Sequence, residues 1–200
     1  MHGGNSMAYD FSTLKQQRLA TKRLLLQPPD PRLAGPICAY FKRNREFLAP
    51  WSPRMRPVFF SEAFHRDKIQ QELSQMSERR LVKFWLFQLS DSGFRHPLGQ
   101  ISFSNLIWGA FRSCFLGYSI DQAEAGRGFT TEALAEALRF VFDELRLHRV
   151  EANIMPRNLA SIRVVQKLDF VCEGSSPKYL KINGIWEDHL HYVIRNLALE

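Results

Sequence analysis

The stretch "AGRGFTTEALAEALRF", residues 125–140, joins a glycine-rich segment directly to the start of a helix. The helix is predicted because Leu134, Leu138, Val141 and Leu145 recur at helical spacing. A helix N-terminus exposes several backbone N–H groups, and the helix dipole adds about half a positive charge there. Such a segment binds phosphate readily. Alternatively, the glycines form only a turn and a threonine caps the helix. Spacing alone leaves both interpretations open.

Two well-known phosphate-binding motifs do not match this stretch. The motif GxxxxGK[ST] requires a lysine after its last glycine, and no lysine follows Gly128. The dinucleotide-binding fingerprint requires a third glycine three residues after Gly128, where this sequence has Thr131. A Rossmann unit is further disfavoured because the preceding strands are predicted to be antiparallel.

The segments on either side of the stretch predict a mixed α+β sheet. Alternating apolar residues, turn residues and Ser61 and Asn158 as helix caps give the order strand, two helices, three strands, helix, strand, helix, hairpin. The final hairpin is predicted at Asn183-Gly184, a strong turn signal. Residues 45–57, "REFLAPWSPRMRP", are predicted to form an ordered loop without regular structure because they are rich in proline.

The composition is typical of one ordinary globular domain. With 45% hydrophobic residues, we expect a single domain at residues 19–200, preceded by a flexible tail or lead-in at residues 1–18. The longest uncharged run, residues 99–111, is too short and too polar to span a bilayer, and no secretory signal is visible. We expect a cytoplasmic protein without a disulfide framework or metal site, because its three cysteines are widely spaced: Cys38, Cys114 and Cys172.

The formal net charge of +7 indicates an anionic partner. Ribosomal RNA and a phosphorylated cofactor both fit this charge, and so does a basic surface that contacts only solvent. No RNA-binding motif with interleaved aromatic residues is present, so the three interpretations remain open. The basic clusters lie at residues 15–23, 42–45, 54–56 and 79–83.

Taken together, the motifs resemble the GNAT family of acetyl-CoA-dependent N-acetyltransferases. Within it, they are similar to the RimJ/RimL-like branch, which acetylates the N-terminal residue of ribosomal proteins. The resemblance covers residues 20–195 and is carried by "TKRLLLQ", "NREFLAPWSP", "ISFSNLIWGAFRSCFLGYSI", "GRGFTTEAL", "LHRVEANIMPRNLAS" and "KINGIWEDHL". It implies a twisted, mostly antiparallel sheet with helices on both faces. The sheet would be splayed between the strand ending at Ile120 and the strand at residues 150–154.

The resemblance also implies where acetyl-CoA binds as a cosubstrate. The pantetheine arm would pair with the backbone at residues 118–120, and Arg127 or another basic side chain would meet the adenosine phosphate. Ala125 and Thr130 depart from the family pattern of the loop, so we expect weaker binding there. The implied cofactor-binding residues are Tyr118, Ser119, Ile120, Ala125, Gly126, Arg127, Gly128, Phe129, Thr130, Thr131, Asn158 and Ser161.

Acetyl transfer needs a neutral amine and a proton for the departing thiolate. Many relatives supply that proton from a tyrosine, whose place is held here by Val165, whereas a serine at the place of Ser161 fills the role in the ribosomal-protein branch. Ser161 is alternatively an ordinary residue of the first helical turn. Glu173 and Asp188 are candidates for proton acceptance, or else members of structural ion pairs. The implied acceptor pocket contains Phe47, Leu48, Trp51 and Asn105.

The sequence therefore predicts an acyltransferase that moves an acetyl group to the N-terminal α-amine of a protein by direct attack in a ternary complex. The expected acceptor is a ribosomal protein, contact with the ribosome would involve the basic surface, and the chain would be a monomer or homodimer. Two alternatives remain open at this point: an acetyltransferase for small amines, and a non-catalytic CoA-binding or ribosome-assembly factor.

Overall fold

The structure, a computed structural model, describes residues 9–200. It contains five α-helices and eight strands within that range. The helices are α1 (Ala34–Arg43), α2 (Arg45–Leu48), α3 (Glu62–Ser77), α4 (Phe129–Asp143) and α5 (Leu159–Gln166). The strands are β1 (Leu19–Ala20), β2 (Leu24–Gln27), β3 (Leu81–Gln88), β4 (Gly99–Ile107), β5 (Ser113–Ile120), β6 (Arg149–Ile154), β7 (Val171–Ile182) and β8 (Ile185–Arg195).

All eight strands form one sheet in the order β1-β2-β3-β4-β5-β6-β8-β7. Every neighbouring pair is antiparallel except β5 and β6, which are parallel. The predicted meander of β3, β4 and β5 and the hairpin at Asn183-Gly184 are confirmed. The mixed sheet and the predicted fold class are therefore correct.

Helices cover both faces of the sheet, and β3 is buried between them. Phe84 and Leu86 point into the core shared with α4 and α5, whereas Trp85 and Phe87 point into a second core formed with α1 and α3. We call these the α4 face and the α3 face. Because side chains alternate along a strand, Lys83 also lies on the α3 face.

The parallel pair β5–β6 opens partway along its length. Pairing joins Ser113 to Arg149 and Phe115 to Glu151, and no further pairs follow. The edge of β5 from Leu116 to Ile120 therefore has no strand partner on the β6 side within the described chain. This opening is the splay that the family resemblance implies.

Two predictions about the N-terminal part require comment. The predicted tail at residues 1–18 is a packed lead-in where it is described, since Phe11 and Leu14 are buried in the core; residues 1–8 lie outside the described residues. The prediction that residues 45–57 lack regular structure is wrong, because α2 and a 3-10 helix at Ala49–Trp51 form there. Pro50 fits the first turn of that 3-10 helix, where its missing N–H is not needed.

No helix among residues 9–200 has both the length and the apolar character needed to cross a membrane.

Candidate active site

A groove with a volume of about 380 Å³ lies at the splay, between α4, α5 and the free edge of β5. We call it the splay groove. Most of the residues predicted to bind a cofactor or acceptor line it. These are Phe47, Leu48, Trp51, Tyr118, Ser119, Ile120, Ala125, Gly126, Gly128, Phe129, Thr130, Thr131, Asn158 and Ser161.

The glycine loop presents a continuous run of backbone donors to the groove. Within the described chain, the amide N–H groups of residues 126–131 have no hydrogen-bond acceptor, and the first paired amide of α4 is that of Glu132, which donates to the Gly128 carbonyl at 3.0 Å. Gly126 and Gly128 both have φ of +79°, a conformation that favours glycine. Six unpaired donors at a helix N-terminus suit a diphosphate.

Arg23, from the loop before β2, supports the glycine loop from outside the groove. Its Nη1 donates to the Arg127 carbonyl at 3.1 Å, and its Nε donates to Glu132 at 2.6 Å. The guanidinium also lies over the Phe129 ring, 4.4 Å from the ring centroid. Arg23 therefore fixes the loop backbone. No signal in the sequence indicated this role, because the contacting residues are more than 100 positions away.

A buried carboxylate holds the chain that leads from β5 into the loop. Asp121 accepts hydrogen bonds from Arg43 Nε at 2.5 Å, Asn44 Nδ2 at 3.0 Å and the Ala123 amide at 3.0 Å. Burial alone would raise the pKa of the Asp121 carboxyl, but the hydrogen bonds from Asn44 and Arg43 outweigh it and lower the pKa. The carboxylate therefore stays ionised and locks the loop to the end of α1.

Ser161 lies in the first turn of α5 and faces the groove. Its amide donates to Asn158 Oδ1 at 3.2 Å, which confirms Asn158 as the helix cap. Its carbonyl accepts from the Tyr118 hydroxyl at 3.0 Å. Burial raises the pKa of Tyr118 to about 12, so this phenol remains a donor at neutral pH. The backbone of Ser161 is thus held at its amide by Asn158 and at its carbonyl by Tyr118.

Four of the predicted site residues do not line the groove. The Arg127 side chain turns toward Glu124, with Nη1 and Oε2 2.5 Å apart. Asn105 lies in the irregular part of β4, opposite the start of β5, whereas the groove lies at the end of β5. Glu173 is bound to Arg149 Nη2 at 2.7 Å, and Asp188 accepts from the Lys178 amide at 2.8 Å. Both carboxylates therefore have structural partners.

Sequence reasoning missed two basic residues that line the groove, Arg163 and Lys167 of α5 and its C-terminal end. They lie on the same side of the groove as Ser161, opposite the glycine loop. Positive charge opposite six amide donors suits a ligand with more than one phosphate group. Arg163 and Lys167 are four residues apart in "NLASIRVVQK" and share a helix face with each other but not with Ser161, so the position of Ser161 alone did not indicate them.

A polar network on the α3 face of β6, β7 and β8 was also missed. His191 Nδ1 lies 2.5 Å from Asn153 Oδ1 and 3.2 Å from Glu151 Oε1, and its Nε2 lies 2.8 Å from Ser176 Oγ. Arg149 joins Glu151 to Glu173. The network explains why Glu173 is held away from the groove, because it forms the outer end of this chain of ion pairs.

The chain matches known proteins over most of its length. Residues 23–171 match the family model "Acetyltransferase (GNAT) domain". A relative from Bacillus subtilis, "Probable N-acetyltransferase YjcK", is 37% identical over 89% of this chain and 97% of its own length. The "[Ribosomal protein uS5]-alanine N-acetyltransferase" of Escherichia coli is 34% identical over 90% of this chain and 91% of its own length.

A solved structure with the same fold contains the coenzyme. It is Mycobacterium smegmatis RimJ in complex with CoA-disulfide, 26% identical, with a TM-score of 0.84 over 91% of this chain and 88% of that one. GNAT acetyltransferases use acetyl-CoA, and the unpaired amides at residues 126–131 and the cations of α5 fit its phosphates. The chain therefore belongs to the GNAT family and is an acyltransferase similar to the ribosomal-protein N-acetyltransferases.

Proposed function

We propose that this protein transfers the acetyl group of acetyl-CoA to the N-terminal α-amine of a ribosomal protein. The proposal of a ribosomal acceptor is supported by the E. coli relative, whose name gives ribosomal protein uS5 alanine as its target. Such an acceptor would place the reaction in the cytoplasm.

One observation carries the proposal of an α-amine: the splay groove offers no free base. Among the described residues that line it, the only carboxylate is Glu124, which is paired with Arg127, and none is a histidine. The acceptor amine must therefore reach its neutral form with little help from the chain, or through water.

The two kinds of protein amine differ greatly in this respect. An α-amine with a pKa near 8 is roughly 10–20% neutral at pH 7, whereas a lysine amine with a pKa near 10.4 is neutral in less than ~0.1% of molecules. The gap of about 2.5 units corresponds to roughly 3.4 kcal/mol of deprotonation free energy. A groove without a base is therefore far better suited to chain N-termini than to lysine side chains.

The remaining roles follow from what lines the groove. The amides of residues 126–131 would hold the diphosphate, and Arg163 and Lys167 would face the other phosphate group. The free edge of β5 at residues 118–120 would pair with the pantetheine arm. When bound, acetyl-CoA supplies the activated acyl group. Ser161 would hold a proton at Oγ for the departing sulfur, since its backbone is fixed by Asn158 and Tyr118 and its side chain lines the groove.

Peptide acetylation by the purified protein tests the function. Thiol release from acetyl-CoA is measured with a peptide beginning with Ala, with the same peptide carrying a blocked N-terminus and an internal lysine, and with a small polyamine. We expect turnover on the free N-terminus only, and about a 100-fold loss of kcat in Ser161→Ala, within the range that general acids contribute.

The controls separate catalysis from binding. The dissociation constant of CoA should stay within about threefold in Ser161→Ala, because backbone amides carry most of the binding. Turnover confined to the polyamine would contradict the proposed acceptor. Stabilisation by CoA without turnover on any amine would show a binding protein, and an unchanged kcat in Ser161→Ala would remove the role of its hydroxyl.

A further inference from the structure

A second cavity, with a volume of about 530 Å³, lies on the α3 face of the sheet. Its floor is formed by β3 and β4, and it is covered by α3 and by residues 52–59, which connect α2 to α3. We call it the basic cavity. Its lining includes apolar side chains, among them Phe41, Met55 and Phe59, and the uncharged polar side chains of Gln100 and Ser102.

The charged residues of this lining are strongly unbalanced. Four are basic, namely Arg54, Arg56, Lys68 and Lys83, and one is acidic, Glu72. Arg54 and Arg56 are exposed at the mouth, and neither has an ion-pair partner among residues 9–200. A net positive lining of this kind favours an anionic occupant.

The buried ammonium of Lys83 supplies the second, independent observation. Only 7% of its side chain is exposed, and its Nζ donates to Glu72 Oε1 at 2.6 Å. An ammonium has three donors, and within the described chain this is its single hydrogen-bond partner. The Trp85 ring centroid lies 5.1 Å from Nζ and gives the ammonium a cation–π contact, but not a second oxygen acceptor. A carboxylate from outside would therefore add a charge-assisted hydrogen bond to a buried cation that lines the cavity.

The basic cavity adjoins the splay groove. Ser52 lines both, and Gln100 on the cavity floor is the strand partner of Ser119, which lines the groove. Neighbouring strands lie about 4.8 Å apart, and an extended peptide advances about 3.3 Å per residue. A chain whose first residue is at the groove would therefore bring a side chain to the cavity within about two to four residues.

We propose that the basic cavity binds an acidic side chain of the acceptor, located a few residues after the N-terminal residue that receives the acetyl group. The carboxylate meets Lys83 at the floor and Arg54 and Arg56 at the mouth, while the apolar walls contact its methylene groups. This inference rests on the proposed function, which it deepens by naming a substrate class: N-termini followed closely by Asp or Glu.

The test compares peptides that differ by one residue. A set of peptides beginning with Ala carries one Glu at position 2, 3, 4, 5 or 6, and each has a partner with Gln at the same position. We expect one position where kcat/KM is about tenfold higher for Glu than for Gln, as one charge-assisted contact provides. In Arg54→Gln/Arg56→Gln and in Glu72→Gln/Lys83→Met this ratio should fall to about one.

Arg66→Gln is the matched control. Arg66 is an exposed arginine of α3, the helix that covers the cavity, but its side chain does not line the cavity. The Arg66→Gln variant should therefore keep the wild-type ratio. Ratios near one at every position in the wild type would overturn the inference while leaving the proposed function intact, because the Gln peptides would still be acetylated. A ratio that survives in both cavity variants would also overturn it.

A binding experiment keeps the two proposals distinguishable if no peptide is acetylated. An N-terminally acetylated, fluorescently labelled Glu peptide needs no turnover, and fluorescence anisotropy measures its affinity with CoA present. Tighter binding of the Glu peptide than of its Gln partner, lost in Arg54→Gln/Arg56→Gln, would support the cavity as an acidic-peptide site. Equal binding of the two peptides together with displacement by a short RNA would instead identify a nucleic-acid site and overturn the inference.

Discussion

The splay groove and the basic cavity adjoin each other and share Ser52, yet they present polar groups in different ways. The groove offers backbone amides at residues 126–131, and the charged side chains of Arg23 and Asp121 stay behind the loop and hold it in place. The cavity is lined by charged side chains directly, with Lys83 at its floor and Arg54 and Arg56 at its mouth. Binding to a site built from backbone amides depends on the conformation of the loop, whereas binding to a site built from charged side chains depends on the balance of their charges.

The largest expected effect of a single change is in the cavity. Lys83→Met leaves the buried Glu72 carboxylate without its close partner, so we expect the free energy of unfolding to fall by about 3–5 kcal/mol. Urea denaturation measures this change in the free energy of unfolding. Glu72→Gln/Lys83→Met removes both charges and should recover most of the loss. A double variant no more stable than Lys83→Met would contradict a charge-balance origin.

The second-largest loss of stability is expected at Asp121, which holds the chain that leads into the glycine loop. Asp121→Asn weakens the contacts with Arg43 and Asn44, and we expect a loss of about 2 kcal/mol at pH 7. The folded-state pKa of Asp121 is lowered, so its contribution is present above the ordinary value of 3.8 and is lost as pH falls through the folded-state pKa. Urea midpoints between pH 7 and pH 3 should converge for wild type and variant as the pH falls.

Asp143→Asn is the control for that comparison. Asp143 is an exposed partner of Arg139 on α4, at 3.8 Å, and a surface ion pair contributes little. Its urea midpoint should match that of the wild type throughout. A gap between wild type and Asp121→Asn that widens toward pH 3 would contradict the assigned role.

The smallest effect on stability is expected at the glycines, where it separates fold from binding. Gly128→Ala and Gly109→Ala both place a side chain at positive φ, +79° and +74°, at a cost of about 1 kcal/mol each. Gly109 lies in the loop before β5, at the end of that strand opposite the groove. We expect CoA affinity, measured by calorimetry, to fall about tenfold only in Gly128→Ala. Equal losses of CoA affinity in both variants would show that the conformation of the glycine loop has no specific role in binding.

Features that depend on neighbouring residues in the sequence were predicted better than features that depend on contacts between distant residues. The cap at Asn158 and the turn at Asn183-Gly184 both depend on nearby residues and are confirmed. The splay between β5 and β6 followed from the family resemblance. The Arg127 side chain, predicted to meet the adenosine phosphate, turns toward Glu124, and the Arg127 carbonyl is held by the distant Arg23.

The basic cavity was not predicted because its parts are far apart in the sequence. Lys83 belongs to the basic cluster at residues 79–83, but nothing in the sequence pairs it with Glu72. Their pairing depends on how α3 packs across β3, which periodicity does not reveal. The same reason hid the His191 network, whose members come from three strands.

A contact at the tip of the β7–β8 hairpin has a consequence for exchange of bound molecules. The Asn183 amide donates to the carbonyl of Ser52, the residue shared by the two sites, at 2.9 Å. One backbone hydrogen bond contributes about 0.5–1.5 kcal/mol net, and 1.4 kcal/mol is a factor of about ten in population. This hydrogen bond is therefore broken often by thermal motion, so under the proposed function it would not limit the rate at which an acetylated chain leaves.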